Sequence, residues 1–207
     1  MLNSTSIDNI VSLFKTKTED MPKIYPNGEY PTHTTLRLFQ DAINANAMAI
    51  PSPTNKLGHL GLVIGTEEYK NASPDGAEHI TPTKPSDKPE EPTRQSGPSS
   101  VFNAQEALRE WTAQVHTYNV HNAVENALRN QILNSVDEEF ISDLEHPTTK
   151  FLCVTPLAIL THLWANFGQI DARDLQKKRG KNENTMEPPH PNLPSVETTH
   201  RRPNFRG

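Results

Sequence analysis

The stretch NAQEALREWTAQVHTYNVHNAVENALRNQIL, residues 103–133, decides how this chain folds. Leu108, Trp111, Val115 and Tyr118 recur at steps of three and four, the spacing that lines side chains along one side of an α-helix. Asn103 with Glu106 three positions on has the form of a capping box, so a helix is expected to start there. Val120, Val124, Leu128 and Ile132, with Ala123 and Ala127 beside them, form a second stripe. We read the stretch as two successive core helices.

The same pattern continues downstream. Ser135 and Glu138 make another capping box ahead of Phe140, Ile141 and Leu144, and His146-Pro147 closes that third helix. Thr155-Pro156 places a cap before a proline at the first helical position, and Gly168 stands where a terminating glycine is expected. Between them Leu157, Leu160, Leu163, Trp164 and Phe167 form the most apolar helical face in the chain. Asp171 is positioned to cap one more short helix ending at Leu175, after which periodicity is lost.

Upstream, residues 70–100 contain six prolines, with one Ile as the only large apolar side chain, and read as a linker unable to bury enough surface to offset chain entropy. Before it, LGHLGLVIGTEEY (57–69) sets Gly58, Gly61 and Gly65 among apolar residues. Their spacing matches no phosphate-binding loop, and Glu67 and Glu68 would repel a phosphate. The stretch reads instead as a short apolar strand, 60–64, ended by a turn at Gly65-Thr66. Residues 35–49 are expected to be helical, with Leu36, Phe39, Ile43, Ala47 and Ile50 on one face and Pro51 and Pro53 as the stop. A shorter helix is expected over 7–14, with Ser6 as its cap and Ile7, Ile10, Val11 and Phe14 at helical spacing. The expected organisation is an N-terminal helix-and-strand segment (1–69), a disordered linker (70–100), an all-α core (101–175) and a disordered tail (176–207).

Composition agrees with partial order: one third of the 207 residues are hydrophobic and 18 are proline. No apolar run approaches bilayer length, and the first residues lack the pattern of a signal peptide, so an intracellular, cytoplasmic, membrane-free protein is expected. Cys153 is the only cysteine; it rules out an internal disulfide and a cysteine-based zinc site, and reads as a small buried hydrophobe. Residues 176–207 hold Lys177, Lys178, Arg179, Lys181, Arg201, Arg202 and Arg206 against three Glu, a net of +4, which leaves −9 on residues 1–175. These seven cations are the candidate nucleic-acid contacts, through phosphates.

Catalytic and metal chemistry find no footing in the motifs. His116 and His121, five apart, point roughly 140° from one another on a helix, without a complementary carboxylate or cysteine. His162 lies between core positions and reads as a partly buried residue with a satisfied ring. No nucleophile elbow, Ser-His-Asp order or aspartic-protease motif occurs, so neither enzyme activity, small-molecule substrate, metal nor cofactor is expected. The periodic aromatics Trp111, Tyr118, Trp164 and Phe167 read as core packing.

Residues 107–175 resemble the capsid-like part of Gag from copia-type LTR retrotransposons, most closely the form found in unicellular algae. The resemblance is carried by VENALRNQIL after Tyr118, the acidic VDEEFISDL, then VTPLAILTHLWANFG and DARDL, in that order. INANAMAIPSPTNKLGHLGLVIGTEEY (43–69) is similar to an N-terminal piece of such Gag sequences. The chain departs from the family after DARDL, where further helices and often a Cys-His knuckle would follow; a truncated or frame-shifted copy would read this way. The resemblance implies a small capsid-like bundle and a non-enzymatic protein that self-associates and binds RNA without sequence preference. Leu108, Trp111, Leu128, Ile132, Leu160, Leu163, Trp164 and Phe167 are then the core and assembly residues, with the basic tail on RNA. The alternative is a domesticated or decayed helical interaction module that forms no particle.

Overall fold

The computed structural model describes residues 7–25, 31–89 and 98–169, and within them the fold is all-α. Its helices are α1 (Ile7–Leu13), α2 (His33–Ala49), α3 (Thr66–Ala72), α4 (Pro98–Leu133) and α5 (Pro156–Phe167), with short 3-10 turns between them. The expected helix at 171–175 and the tail lie outside the described residues.

The start of α2 is held by a reciprocal cap. The Thr35 amide donates to Thr32 Oγ1 at 3.2 Å, and the Thr32 amide donates to Thr35 Oγ1 at 2.9 Å. Leu36, Phe39, Ile43 and Ala47 then fall on one stripe, which is buried as the spacing predicts. Beyond the helix the chain reverses at Gly58, whose φ of +60° is a left-handed conformation. A Cβ there would stand 2.6 Å from the Ile50 carbonyl oxygen, so glycine is required on two counts.

The strand expected at 60–64 is a 3-10 turn, Leu60–Leu62, with Leu60, Val63 and Ile64 buried. A short apolar run has the same periodicity whether it is a buried strand or a buried turn, and among the described residues there is no strand for this one to pair with. Gly65-Thr66 is a helix start rather than a closing turn. Gly65 precedes α3, and Glu67 and Glu68 occupy its first turn, where carboxylates favourably meet the helix dipole.

Residues 103–133 belong to one helix, not two. Between Pro98 and Leu133 there is no further proline and no glycine, so nothing breaks the backbone ladder over the 36 residues of α4. It runs about 54 Å. Asn103 is interior to this helix and does not cap it. The third expected helix is a pair of 3-10 turns, Glu138–Phe140 and Ser142–Leu144. Ser135 is not its cap: the Ser135 carbonyl accepts from the Ile24 amide and the Asp137 amide donates to the Ile24 carbonyl, both at 2.8 Å. That pairing holds 135–137 extended, and the Asp137 side chain caps the first turn instead, accepting from the Glu139 amide at 3.0 Å. Phe140 and Ile141 are buried as expected. In α5, Thr155 caps the Ala158 amide at 3.2 Å, Pro156 follows it, and the helix ends at Gly168.

One hydrophobic core includes Ile10 and Phe14, the α2 stripe, Val124, Leu128 and Ile132 of α4, and Ile159, Leu160 and Leu163 of α5. The boundary expected between an N-terminal segment and a helical core therefore does not separate two folded bodies; α2 supplies the apolar face that α4 and α5 bury. A buried polar link joins the same elements. The Asn46 side chain accepts from the Thr16 amide at 2.8 Å and donates to the Thr16 carbonyl at 2.8 Å and to Gln131 Oε1 at 2.9 Å. Gln131 Nε2 donates to the same Thr16 carbonyl at 2.9 Å.

The linker reading of 70–100 also needs correction at both ends. Residues 70–72 finish α3, and 98–100 begin α4. Residues 73–89 have no helix but form a strap fastened to the body: Asn55 Nδ2 donates to the Ile80 carbonyl at 2.9 Å, and the Ile80 amide donates to Asn55 Oδ1 at 2.8 Å. Prolines forbid regular structure there, yet one asparagine side chain can satisfy both backbone groups of a residue without it. Cys153 is exposed, against expectation. It lies in the turn before α5, where its neighbours Phe151 and Val154 take the inward positions.

Candidate functional site

The eight residues expected in the core or at an assembly surface divide into two groups. Leu128, Ile132, Leu160 and Leu163 are fully buried, so they hold the fold and are closed to any partner. Leu108, Trp111, Trp164 and Phe167 are only half-buried. Trp164 and Phe167 pack at the edge of the core: Trp164 Nε1 donates to Gln40 Oε1 at 3.3 Å, His33 stands edge-on to it at 5.3 Å, and Phe140 stands edge-on to Phe167 at 5.3 Å. Trp164 also lines an open groove of about 700 Å³ with Gln40, Val63, Ile64, Leu157 and Leu160.

Leu108 and Trp111 belong to a surface that spacing alone did not place correctly. At 100° per residue, the stripe Leu108–Trp111–Val115–Tyr118 points about 165° away from the stripe centred on Val124, Ala127, Leu128 and Gln131. Only the second stripe faces the core. The four residues of the first are half-buried and stand outside the core cluster. Part of their cover is the strap, since Trp111 Nε1 donates to the Ser86 carbonyl at 2.8 Å. Two separate helices could each have turned a stripe inward; a single straight helix cannot.

A second feature is a seam of histidines. His59 follows the Gly58 turn, His79 lies on the strap and His121 is on α4. Their ring centroids are 5.6 Å apart for His59 and His121, and 5.9 Å for His79 and His121. A Cβ at Gly61 would overlap the His79 ring, so the strap seats only because that position is glycine. Both ring nitrogens of His59, Nε2 of His79 and Nδ1 of His121 are buried without a hydrogen-bond partner. Burial pushes the His59 imidazole down to about 4, assisted by His121 and His79, with the Pro51 carbonyl pulling weakly the other way. Burial also lowers His79, assisted by His121, and burial lowers His121. The rings are therefore neutral at pH 7. The seam joins residues 20 and 42 positions apart, for which no local sequence rule exists. Among the described residues, no group of three or more His, Cys, Asp or Glu is placed to hold a metal ion. His162 is satisfied as expected, with Nε2 3.2 Å from the Phe140 carbonyl.

No family model matches the chain, nor does any curated protein or solved structure. The seven tail cations, Lys177, Lys178, Arg179, Lys181, Arg201, Arg202 and Arg206, lie outside the described residues. No described helix is long and apolar enough to cross a membrane.

Proposed function

We propose that this protein is a Gag-like structural protein that self-associates through the first half of α4 and binds RNA through its basic tail. The carrying observation is the reversal of apolar faces along α4, which leaves Leu108, Trp111, Val115 and Tyr118 half-buried outside the core. These four alternate at steps of three, four and three, the narrow seam of a coiled coil rather than the wider stripe of a core helix. The positions flanking the seam are Gln105, Ala107, Thr112, Gln114 and Asn119, none of them charged. A second copy of the helix would thus meet no like charge at the positions that set partner choice.

The seam covers only about three helical turns, or one and a half coiled-coil heptads, so association is concentration-dependent. Light scattering behind size-exclusion chromatography should show the apparent mass rising between micromolar and hundreds of micromolar protein. Leu108→Glu/Val115→Glu should hold the chain monomeric with its helical circular dichroism intact. A wild-type chain that stays monomeric throughout would leave the helical interaction module with an unrelated partner as the surviving reading.

RNA binding by the tail is expected to be weak, independent of sequence and steeply salt-dependent. Seven phosphate contacts on single-stranded RNA give a log–log slope of at most about −5, and fewer simultaneous contacts a smaller one. The full chain should bind an unstructured RNA and a chain ending at Leu175 should not. Equal binding by the two would remove the tail from the mechanism.

A further inference from the structure

We propose that the seam of His59, His79 and His121 is an acid-sensitive latch that releases the strap 73–89 from the body. Each ring comes from a different part of the fold, and only His79 travels with the strap. Four of their nitrogens are buried without a hydrogen-bond partner, and the one backbone group that favours a proton there, the Pro51 carbonyl beside His59, is outweighed by burial. Two imidazoliums less than 6 Å apart in a water-poor seam repel one another. The released strap gives its ring back to water, where either protonation state is well solvated. The Ile80–Asn55 pair and the Trp111–Ser86 hydrogen bond are all neutral, so they hold the strap equally at either pH and leave the pH dependence to the histidines.

The surroundings supply no compensating charge. α3 presents the Tyr69 phenol ring edge-on to His79 at 5.3 Å, and its Lys70 is 3.6 Å from Glu78 of the strap. The end of α2 offers the Ala47 carbonyl to the His59 backbone amide at 2.9 Å. On α4, Tyr118 and Glu125 lie about one turn to either side of His121. The charges acting on the rings are those of the other rings, and no carboxylate acts on any of the three. The ion pair that ties Asp75 of the strap to Lys56 of the body, at 2.5 Å, persists in mild acid and keeps the first residues of the strap tethered, because Lys56 and then Ser73 hold the Asp75 carboxyl well below the usual carboxylate range. Acid therefore acts on the histidines first.

The rings are harder to protonate in the closed state than in the released one, so closure is complete above the ordinary histidine value of 6.5. It is lost as pH falls from there toward about 4 for His59. For His59 alone, that difference shifts the equilibrium at pH 5 by about thirty-fold toward the state in which the ring is free.

Hydrogen exchange of the full chain at pH 7.5 and pH 5.0, corrected for intrinsic rates, tests this on a peptide containing Ile80. Its amide protection should fall by at least about ten-fold in acid while far-ultraviolet circular dichroism stays unchanged. His79→Phe and the double variant His59→Gln/His121→Gln should each shrink that fall at least about three-fold. Whichever keeps the wild-type circular dichroism at pH 7.5 is the one to read. Protection within two-fold at the two pH values, the same fall in a folded variant, or loss of helical signal at pH 5.0 would each overturn the latch.

Discussion

Phe39→Ala should lower the free energy of unfolding by about 3–5 kcal/mol. Phe39 is completely buried at the middle of the α2 stripe, among the residues through which the helices share one core. Truncation there removes an aromatic ring's transfer free energy and leaves a cavity that neighbouring helices can close only in part. Leu38 is the adjacent control: it is 57% exposed on the same helix, and Leu38→Ala should stay within about 0.5 kcal/mol of wild type. Urea unfolding followed by circular dichroism measures both. A Phe39→Ala midpoint no lower than that of Leu38→Ala would show that α2 does not share the core of α4 and α5. The result matters for organisation, because an N-terminal segment folding apart from the later helices would leave them unaffected.

Asn46→Leu should cost about 2–4 kcal/mol despite conserving volume, because the loss is one of hydrogen bonds. Asn46 is fully buried, and with Gln131 it satisfies both backbone groups of Thr16. Leucine would leave the part-buried Thr16 amide and the buried Gln131 Oε1 without their Asn46 partner, and unsatisfied groups shielded from water cost more than a formed bond gains. Adding Gln131→Leu should cost less than the sum of the two single changes, since the second variant removes an acceptor that the first had already orphaned. Additive losses would show that the two amides do not act as one link. The link ties the loop after α1, α2 and α4 into a single register.

Much of the secondary structure was legible because its causes are local. The helices α1, α2 and α5 follow from 3.6-residue spacing with caps at Thr155 and stops at Pro51 and Gly168. Local signals misled where two structures share one pattern. The run 60–64 is apolar whether strand or turn, and a Ser-x-x-Glu motif at 135–138 cannot form a helix once its backbone is paired with Ile24. Asn103 carries the residues of a cap, but caps matter only where a helix begins, and Pro98 lies upstream.

The sequence by itself determined the all-α class, the buried stripe of α2 and the asymmetry between acidic body and basic tail, since each depends on neighbours in the chain or on composition. Only the tertiary structure decided which of α4's two apolar stripes meets the core, because a stripe has a direction only relative to what packs beside it. It alone brought His59, His79 and His121 into one buried seam, and turned a proline-rich stretch into a strap held by Asn55. Contacts between residues far apart in sequence leave no local pattern; they arise when burial of the α2, α4 and α5 faces closes the chain on itself.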